Sequence, residues 1–596
     1  MAFSPCHNTP SISMINACIF VKGTVMLSSF WKQNKPVQYS DLASLIIITA
    51  LSITGCSVKQ ASQAAIASAH PLATQAGFEI LQKGGNVYDA AVAVSASLAV
   101  VEPSGSGLGG GGFWLLHRES DGLDIMLDGR EKAPLAAHKD MFLNASGDAN
   151  KQLSLNGALA AGIPGMPAGL VYLSKKYGKL PLTTSLAPAI RYAEQGFKID
   201  ARHQKLLAMR QAILNQHLET ANIFLAQGKI PAKDSLLIQT DLAQTLRQIA
   251  EQGKAGFYTG TVADKLVHAV KQEGGIWTLE DLNNYQIVER TPVTGHYKDI
   301  KITSAALPSS GGIVLIEALN ILENIDLQAL DPITRKHLIV EAMRRAYHDR
   351  ALYLGDADFV DVPVDRLINK HYAQGQSSTI RLDKALASDN LTGNTPDKPG
   401  GRNTTHFSII DNEGNRVAAT LSINFPFGAG LVASGTGVLL NNEMDDFVSA
   451  QNSGNGYGLV GGDANAIAPE KRMLSSMTPT FLEDSERVAV LGTPGGSRII
   501  SMVLLASLDF AAGNSPESWV QVKRFHHQYI PDQILYEKDG LTPEEIEGLQ
   551  ALGHQLKQYY NYGNMQAVEL NKITDVLSAA SDSRGEGLAS VQQVHE

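Results

Sequence analysis

The chain reads as an α/β protein in layers, on three observations. Short alternating strands with a tight turn run from His406 to Ile423. Two glycine-rich loops, at 103–112 and 492–496, lie directly against a strand-like run, and alanine-dense apolar stretches have the composition of helices packed outside a sheet. The 596 residues are 44% hydrophobic and 18% charged, which excludes a disordered or collagen-like chain. A prior of roughly 150 residues per domain gives about four domains. The formal charge of −10 carries no basic stripe, so nucleic acid is not an expected partner. Cys6, Cys18 and Cys56 all lie in the first 56 residues, so the body has no thiol for disulfides, thiolate metal sites or cysteine nucleophiles.

At the N-terminus, Leu42 to Thr54 (LASLIIITALSIT) is an uncharged apolar run of signal-peptide length, too short for a membrane span of about 20 residues. Ile53-Thr54-Gly55-Cys56 follows and resembles the bacterial lipobox, which implies a lipid on Cys56 and Cys56 as the mature terminus. About 40 residues precede the apolar run, more than a leader needs; a start at Met26 leaves a short segment carrying Lys32 and Lys35. Residues 1–55 are therefore read as leader. Ser57 after the cysteine points to the outer membrane, facing the periplasm. Residues 56–68, small and polar, are expected to be a tether, with the fold beginning near His70.

In the body, Thr74–Leu81 and a second stretch with Asp89 as N-cap read as two helices, the second buried nearly all round. Pro103 to Gly112 breaks that helix and feeds the strand-like Phe113–His117. The region from about 185 to 290 reads as mostly helical. Pro308-Ser-Ser-Gly-Gly312 precedes the helix IVLIEALNIL, and Ala387–Arg402 reads as an exposed, flexible connection. His406–Asp411, the turn Asn412–Asn415 and Arg416–Ile423 form a hairpin; Val488–Leu491, a glycine loop and Arg498–Phe510 form strand, turn and helix.

The common nucleophilic and metal motifs are absent from the body: no G-x-S-x-G, no S-x-x-K, no H-E-x-x-H, no phosphate-cradling G-x-x-x-x-G-K-[ST]. His526-His527, adjacent on a strand, would point to opposite faces and not chelate one metal. What remains is Asn403-Thr404-Thr405-His406 at the junction of polar connection and strand. A threonine hydroxyl needs a base, and cutting the chain before Thr404 would supply one in the α-amine. Taken alone, the same residues are a β-branched pair opening a strand.

Read with Asn441-Asn-Glu-Met-Asp-Asp446, Gly461-Gly-Asp-Ala-Asn465, Leu474-Ser-Ser-Met-Thr-Pro479 and Thr493-Pro-Gly-Gly-Ser-Arg498, in this order, the chain resembles the γ-glutamyltransferase (γ-glutamyltranspeptidase) family of N-terminal-nucleophile hydrolases. The likeness extends upstream through Asp128-Gly-Arg-Glu-Lys-Ala-Pro134 and Gly162-Ile-Pro-Gly165 and downstream through Ser581–Ala589, covering the body from about residue 67. It implies a four-layer αββα fold of two chains, 69–403 and 404–596, which stay associated after self-cleavage before Thr404. It implies Thr404 as nucleophile, with Ser422 where family members usually carry a second threonine. It implies Arg130 on the substrate α-carboxylate with Ser475 and Ser476, and Asn424, Glu443 and Asp446 on the α-amino group. The clamp so implied has arginine at one end and carboxylates at the other. Gly495 and Gly496 correspond to the oxyanion-hole amides and Tyr457 to the aromatic gate of a lid loop, while Phe425-Pro426-Phe427 departs from the expected polar residues. Glutathione and other γ-glutamyl compounds are the implied donors, water, amino acids or dipeptides the acceptors, and no cofactor or metal is implied.

Two other readings stay open at this point. One keeps the fold with another substrate, as in a cephalosporin or glutaryl acylase or a poly-γ-glutamate hydrolase. The other is a catalytically silent surface lipoprotein. Singly, Arg130 suits an ion pair, Asp446 a turn and Gly495-Gly496 a tight helix start.

Overall fold

The computed structural model describes residues 62–391, 404–449 and 454–594. Thirteen strands build its two main sheets: β1 (Gln63–Ser68), β2 (Gly111–Arg118), β3 (Leu123–Gly129), β4 (Val288–Arg290), β5 (Val293–Tyr297), β6 (Ile300–Ser304), β7 (Thr405–Asp411), β8 (Arg416–Ser422), β9 (Thr480–Glu483), β10 (Arg487–Gly492), β11 (Gln566–Asn571), β12 (Val576–Ser581) and β13 (Leu588–Gln593). The first sheet runs β13-β1-β7-β8-β2-β3-β4 and the second β12-β11-β10-β9-β6-β5, each ladder antiparallel.

The strand period of two sorts side chains between two cores. From the first sheet Ala64, Ile66, Trp114, Leu116, Phe407 and Ile409 join a core with the helices α1 (Pro71–Gln82) and α2 (Val87–Val101). Ala65, Ala67, Phe113, Leu115, Ile410 and Ala418 point the other way, into a core shared with the second sheet and with α3 (Gly311–Leu322), α4 (Pro332–Tyr353) and α5 (Arg498–Ala511). The layers are thus helix, sheet, sheet, helix, the αββα order that the resemblance implies. No helix among the described residues is long and apolar enough to cross a membrane.

Two expectations need correction. Of the supposed tether 56–68, residues Gln63–Ser68 form β1, paired on both edges with β13 and β7, and Ala64 to Ala67 are fully buried. Small side chains there serve close packing on both faces of a central strand, and composition alone could not tell that from a linker. The N-cap of α2 is Asn86, not Asp89: Asn86 accepts from the Tyr88 and Asp89 amides, and Asp89 returns a bond to the Asn86 amide as the third residue of a capping box. At the start of the polar run 387–402, Ala387, Asp389 and Asn390 are exposed and only Ser388 is not. Ser388–Asn390 is a single 3₁₀ turn in which Ser388 is buried, its N–H donating to Asp532 and its hydroxyl to the Tyr529 carbonyl. Residues 392–403 and Cys56 lie outside the described residues.

The strand order brings several termini to one common end of both sheets. Thr404 precedes β7, Ser422 closes β8 opposite Gly111 at the start of β2, and Gly129 closes β3 beside Arg130. In the second sheet Gly492 closes β10, and a Cβ there would strike the His406 ring.

Candidate active site

Thr404 is 3% exposed and sits where the chain enters β7. A single cleft is lined by Arg130, Thr404, Ser422, Asn424, Glu443, Asp446, Tyr457, Ser475, Ser476 and Gly496, together with Leu459, Met477, Ser497 and Ile499. Residues spread over more than 360 positions are thereby gathered at the ends of four strands. Gly495 is the exception: it lines an adjoining hollow on the other side of the 492–496 loop. The cleft holds about 20 Å³, room for a single water, so admitting a ligand requires side chains to move.

The glycine loop explains the close approach of the strands. A Cβ on Gly110 would lie 2.1 Å from the Ser422 carbonyl oxygen, so a side chain there would push β8 away from β2. Ser422 Oγ accepts from the Asn424 amide at 2.7 Å, and Asn424, at φ 71°, donates from Nδ2 to the Asn442 carbonyl. Asn441 holds the next turn: its Nδ2 donates to the Gly109 and Gly162 carbonyls, and its Oδ1 accepts from the Glu443 amide. The Asn-Asn pair therefore fixes both Asn424 and Glu443.

Arg130 is buried, with its backbone carbonyl accepting from the Tyr285 hydroxyl and its Nε donating to the Met473 carbonyl. Its Nη1 meets Glu443 at 2.6 Å and its Nη2 meets Asp446 at 2.6 Å. This corrects the clamp expected from sequence. Arginine and carboxylates are not at opposite ends of the cleft but in direct contact, as a buried guanidinium requires. Glu131 stands 3.5 Å away on Nη1, so one guanidinium faces three carboxyls. Burial and the Glu443 charge push Glu131 well above the usual carboxylate range, against the pull of Arg130. Burial also pushes Glu443 up, to about 7, against the pull of Arg130. For Arg130, burial alone would lower the pKa, but Glu443, Glu131 and Asp446 together raise it.

On the serine side, the loops 308–312 and 474–479 lock together. Ser475 N–H donates to the Pro308 carbonyl, Ser310 donates to the Ser475 carbonyl from both amide and hydroxyl, and Ser475 Oγ accepts from the Met477 amide. Behind them Arg350 donates to Ser310 Oγ at 3.0 Å and Ser476 Oγ at 3.3 Å, its pKa lowered to about 10 by burial. Arg350 and Glu131 escaped the sequence reading. For Glu131 the signal was its place beside Arg130; Arg350 lies mid-helix and carries no local signal.

Gly495 and Gly496 have φ of 150° and 59°, and their carbonyls accept from the Arg498 and Ile499 amides, which opens α5. A Cβ on Gly496 would fall 2.1 Å from Tyr457 Cε1, so only glycine lets that ring lie over the loop. Tyr457 is buried; its hydroxyl donates to the Asn424 carbonyl at 3.0 Å and its ring packs on Phe425 with centroids 5.0 Å apart. Of the residues that depart from polar ones after Asn424, Phe425 pairs with Tyr457 and Phe427 packs against His203 and Phe224. The turn carrying Tyr457 is tied down by Asn455, which donates to Asp446, and by the Gly456 amide, which donates to Asp445. Residues 450–453 of this loop lie outside the described residues.

His526 and His527 take separate partners, Ser501 and Asp532. Among the described residues His337, Glu341 and His554 are close enough to hold a cation. Arg344 and Arg345 already pair with Glu341, however, and the two imidazoles hydrogen-bond each other at 2.8 Å.

Comparison with known proteins follows the same outline. The family model described as gamma-glutamyltranspeptidase matches residues 73–592. The glutathione hydrolase proenzyme of Escherichia coli (strain K12) is 41% identical over 532 residues, 88% of this chain and 91% of that protein. A crystal structure of Helicobacter pylori gamma-glutamyltranspeptidase is 44% identical with a TM-score of 0.53, covering 55% of this chain and 94% of that one. The cephalosporin acylase of Bacillus halodurans is 27% identical with a TM-score of 0.79, covering 89% and 96%. A sequence match across nearly the whole body, joined to the layered fold and the gathered cleft, establishes that the chain belongs to the γ-glutamyltranspeptidase family.

Proposed function

We propose that the chain is a proenzyme that cuts itself before Thr404 and then cleaves γ-glutamyl amides, glutathione among them, passing the acyl group to water or to an amine acceptor. The observation that carries this reading is the meeting of Thr404, Arg130, Glu443, Asp446 and Gly496 in one cleft. Arg130 keeps a second N–H on Nη2 beyond the one given to Asp446, available to a ligand carboxylate. Glu443 and Asp446 offer anionic oxygens to an α-ammonium. A site that presents a guanidinium and carboxyls side by side suits the carboxylate and ammonium that share one α-carbon, and this favours the transferase reading over the acylase one.

In the proposed chemistry Thr404 Oγ attacks the γ-carbonyl while the Thr404 α-amine takes the hydroxyl proton. The C–N bond breaks, the proton passes to the leaving amine, and an ester to Thr404 remains. Water or a second amine then attacks that ester and the proton returns to Thr404 Oγ. The Gly495-Gly496 amides are assigned to the oxygen that gains charge, and Ser422, Ser475, Ser476 and Asn424 to orienting nucleophile and substrate. In maturation the same hydroxyl attacks the residue-403 carbonyl, the 403–404 C–N bond breaks as the proton passes to the freed Thr404 amine, and water then hydrolyses the ester, returning the hydroxyl and releasing the residue-403 carboxylate.

The test is Thr404→Ala. It should run as a single band on a denaturing gel and release no nitroaniline from γ-glutamyl-4-nitroanilide; a cut or active variant overturns the reading. For the N-terminus we propose a lipid on Cys56 and a periplasmic site at the outer membrane, supported by the apolar run Leu42–Thr54 before Gly55-Cys56. Cys56→Ser should move the protein from the membrane to the soluble fraction, and an unchanged distribution would refute the anchor.

A further inference from the structure

We propose that Arg350 is the positioning residue that makes the Thr404 cleft selective for donors with a free α-carboxylate, acting through the Ser476 hydroxyl on which that carboxylate rests. This rests on the γ-glutamyl reading of the cleft and names what selects one end of the substrate.

Arg350 lies in the last turn of α4, is 5% exposed, and donates to Ser310 Oγ at 3.0 Å and Ser476 Oγ at 3.3 Å. No acid among the described residues comes within ion-pair distance of it. Other buried guanidinium groups differ: Arg344, Arg345, Arg416, Arg472 and Arg524 each meet a carboxylate. Burial lowers the Arg350 pKa to about 10, which leaves it charged at neutral pH. Asp446 attracts it from a distance but is already paired with Arg130. A buried cation that touches only neutral hydroxyls is under-compensated, and this one stands directly behind the substrate cleft.

The serines carry its effect into the cleft. Ser475 and Ser476 are buried and both line it. Ser476 Oγ accepts from Arg350 and Ser475 Oγ accepts from the Met477 amide, and neither hydroxyl proton meets an acceptor among the described residues. Ser310 is different, because it gives its proton to the Ser475 carbonyl and so braces the loop. With its lone pair turned to a guanidinium, the Ser476 hydroxyl is a polarised donor, and its free proton suits an anion. Across the cleft, Arg130 gives Nη1 to Glu443 and Nη2 to Asp446, so its charge is answered within the protein. A carboxylate that accepts from Ser475 and Ser476 meets the cation that is not. The ammonium on the same carbon is then left to Glu443 and Asp446.

The test compares γ-glutamyl-4-nitroanilide with 4-aminobutyryl-4-nitroanilide, which lacks only the α-carboxylate, reading nitroaniline release by the wild-type protein, Arg350→Met, Arg350→Lys and Ser476→Ala. Wild type should favour the γ-glutamyl donor in kcat/KM by about a hundredfold or more, at roughly tenfold for each charge-assisted hydrogen bond. Arg350→Met should reduce that preference about tenfold, through KM of the γ-glutamyl donor more than through kcat. Arg350→Lys keeps the charge and should retain more of the preference. Ser476→Ala leaves the Arg350–Ser310 bond in place, so it serves even if Arg350→Met does not fold. It should lower the preference as well, and adding Arg350→Met to it should lower it little further, as for two groups acting in series. A residue that only braced the loops would weaken both donors alike. Equal kcat/KM for the two donors in the wild type, or a preference unmoved in either Arg350→Met or Ser476→Ala, overturns the inference while leaving γ-glutamyl transfer standing. No nitroaniline from either donor with the wild-type protein refutes the γ-glutamyl reading itself and this inference with it.

Discussion

At Gly496 a backbone requirement and a side-chain requirement coincide: φ is 59°, and the place of a Cβ is filled by the Tyr457 ring. Alanine there pays roughly 1–2 kcal/mol for the left-handed backbone and must also displace the ring. Gly496→Ala should therefore lower kcat on γ-glutamyl-4-nitroanilide by about a hundredfold or more, the scale of a lost oxyanion donor. Activity near wild type would remove Gly496 from the assigned role. Arg130 presents a different problem, because it balances Glu443 and Asp446 in a buried place. Arg130→Met strands those carboxylates and should cost about 3–5 kcal/mol, visible as a lower urea midpoint as well as lost turnover. Arg130→Lys keeps the charge but not the fork, so it should raise KM more than it lowers stability. An Arg130→Met protein as stable as wild type would mean that the ion network contributes nothing to the fold. The family resemblance pointed to Arg130, Glu443 and Asp446, each in a motif of its own, and the three do line one cleft. Their mutual contact was not legible, because it depends on how β3 and the 441–446 turn meet in space.

The turn from Asp445 to Tyr457 shows what an element adds to its residues. Asp445 is buried and accepts from Ser154 Oγ and the Gly456 amide, both at 2.7 Å, so it fastens the Tyr457 turn to the body. Burial raises its pKa to about 7 from an ordinary 3.8. Between about 4 and 7 the native state thus binds a proton that the unfolded chain has released, and this group's contribution to stability falls as pH rises through that window and is level above it. Asp445→Asn removes the titration. Relative to wild type, its melting temperature should improve as pH is raised from 5 to 8; a difference that stays constant with pH would show that Asp445 ionises normally. At this scale the sequence reading succeeded where local chemistry decides, as in the hairpin 406–423 and the strand, glycine loop and helix from 488 to 510. It failed where packing decides. The alanines of β1 were indistinguishable from a tether, and the cap of α2 moved from Asp89 to Asn86 because both residues of a capping box carry capping side chains.

For the whole molecule, the strand order determines what a cut before Thr404 does. Such a cut leaves β1–β6 on one chain and β7–β13 on the other, yet the ladders β13/β1, β1/β7 and β8/β2 in the first sheet and β9/β6 in the second all cross between them. Strand β1 is flanked on both sides by strands of the other chain, so the two chains cannot part without exposing bare central edges and opening both buried cores. The cost of separation is then that of unfolding, not of undocking a surface. The cut protein should elute as one species in native size-exclusion chromatography, however dilute, and resolve into two polypeptides only when denatured. Urea should unfold and separate the chains in a single transition, because neither has a sheet that is complete without the other. For the same reason residues 404–596 expressed alone should be insoluble, with the edges that β1 and β2 cover left open to aggregation. Two chains that separate under native conditions, or a soluble and folded 404–596 fragment, would show that the interleaved sheets are not what holds the molecule together.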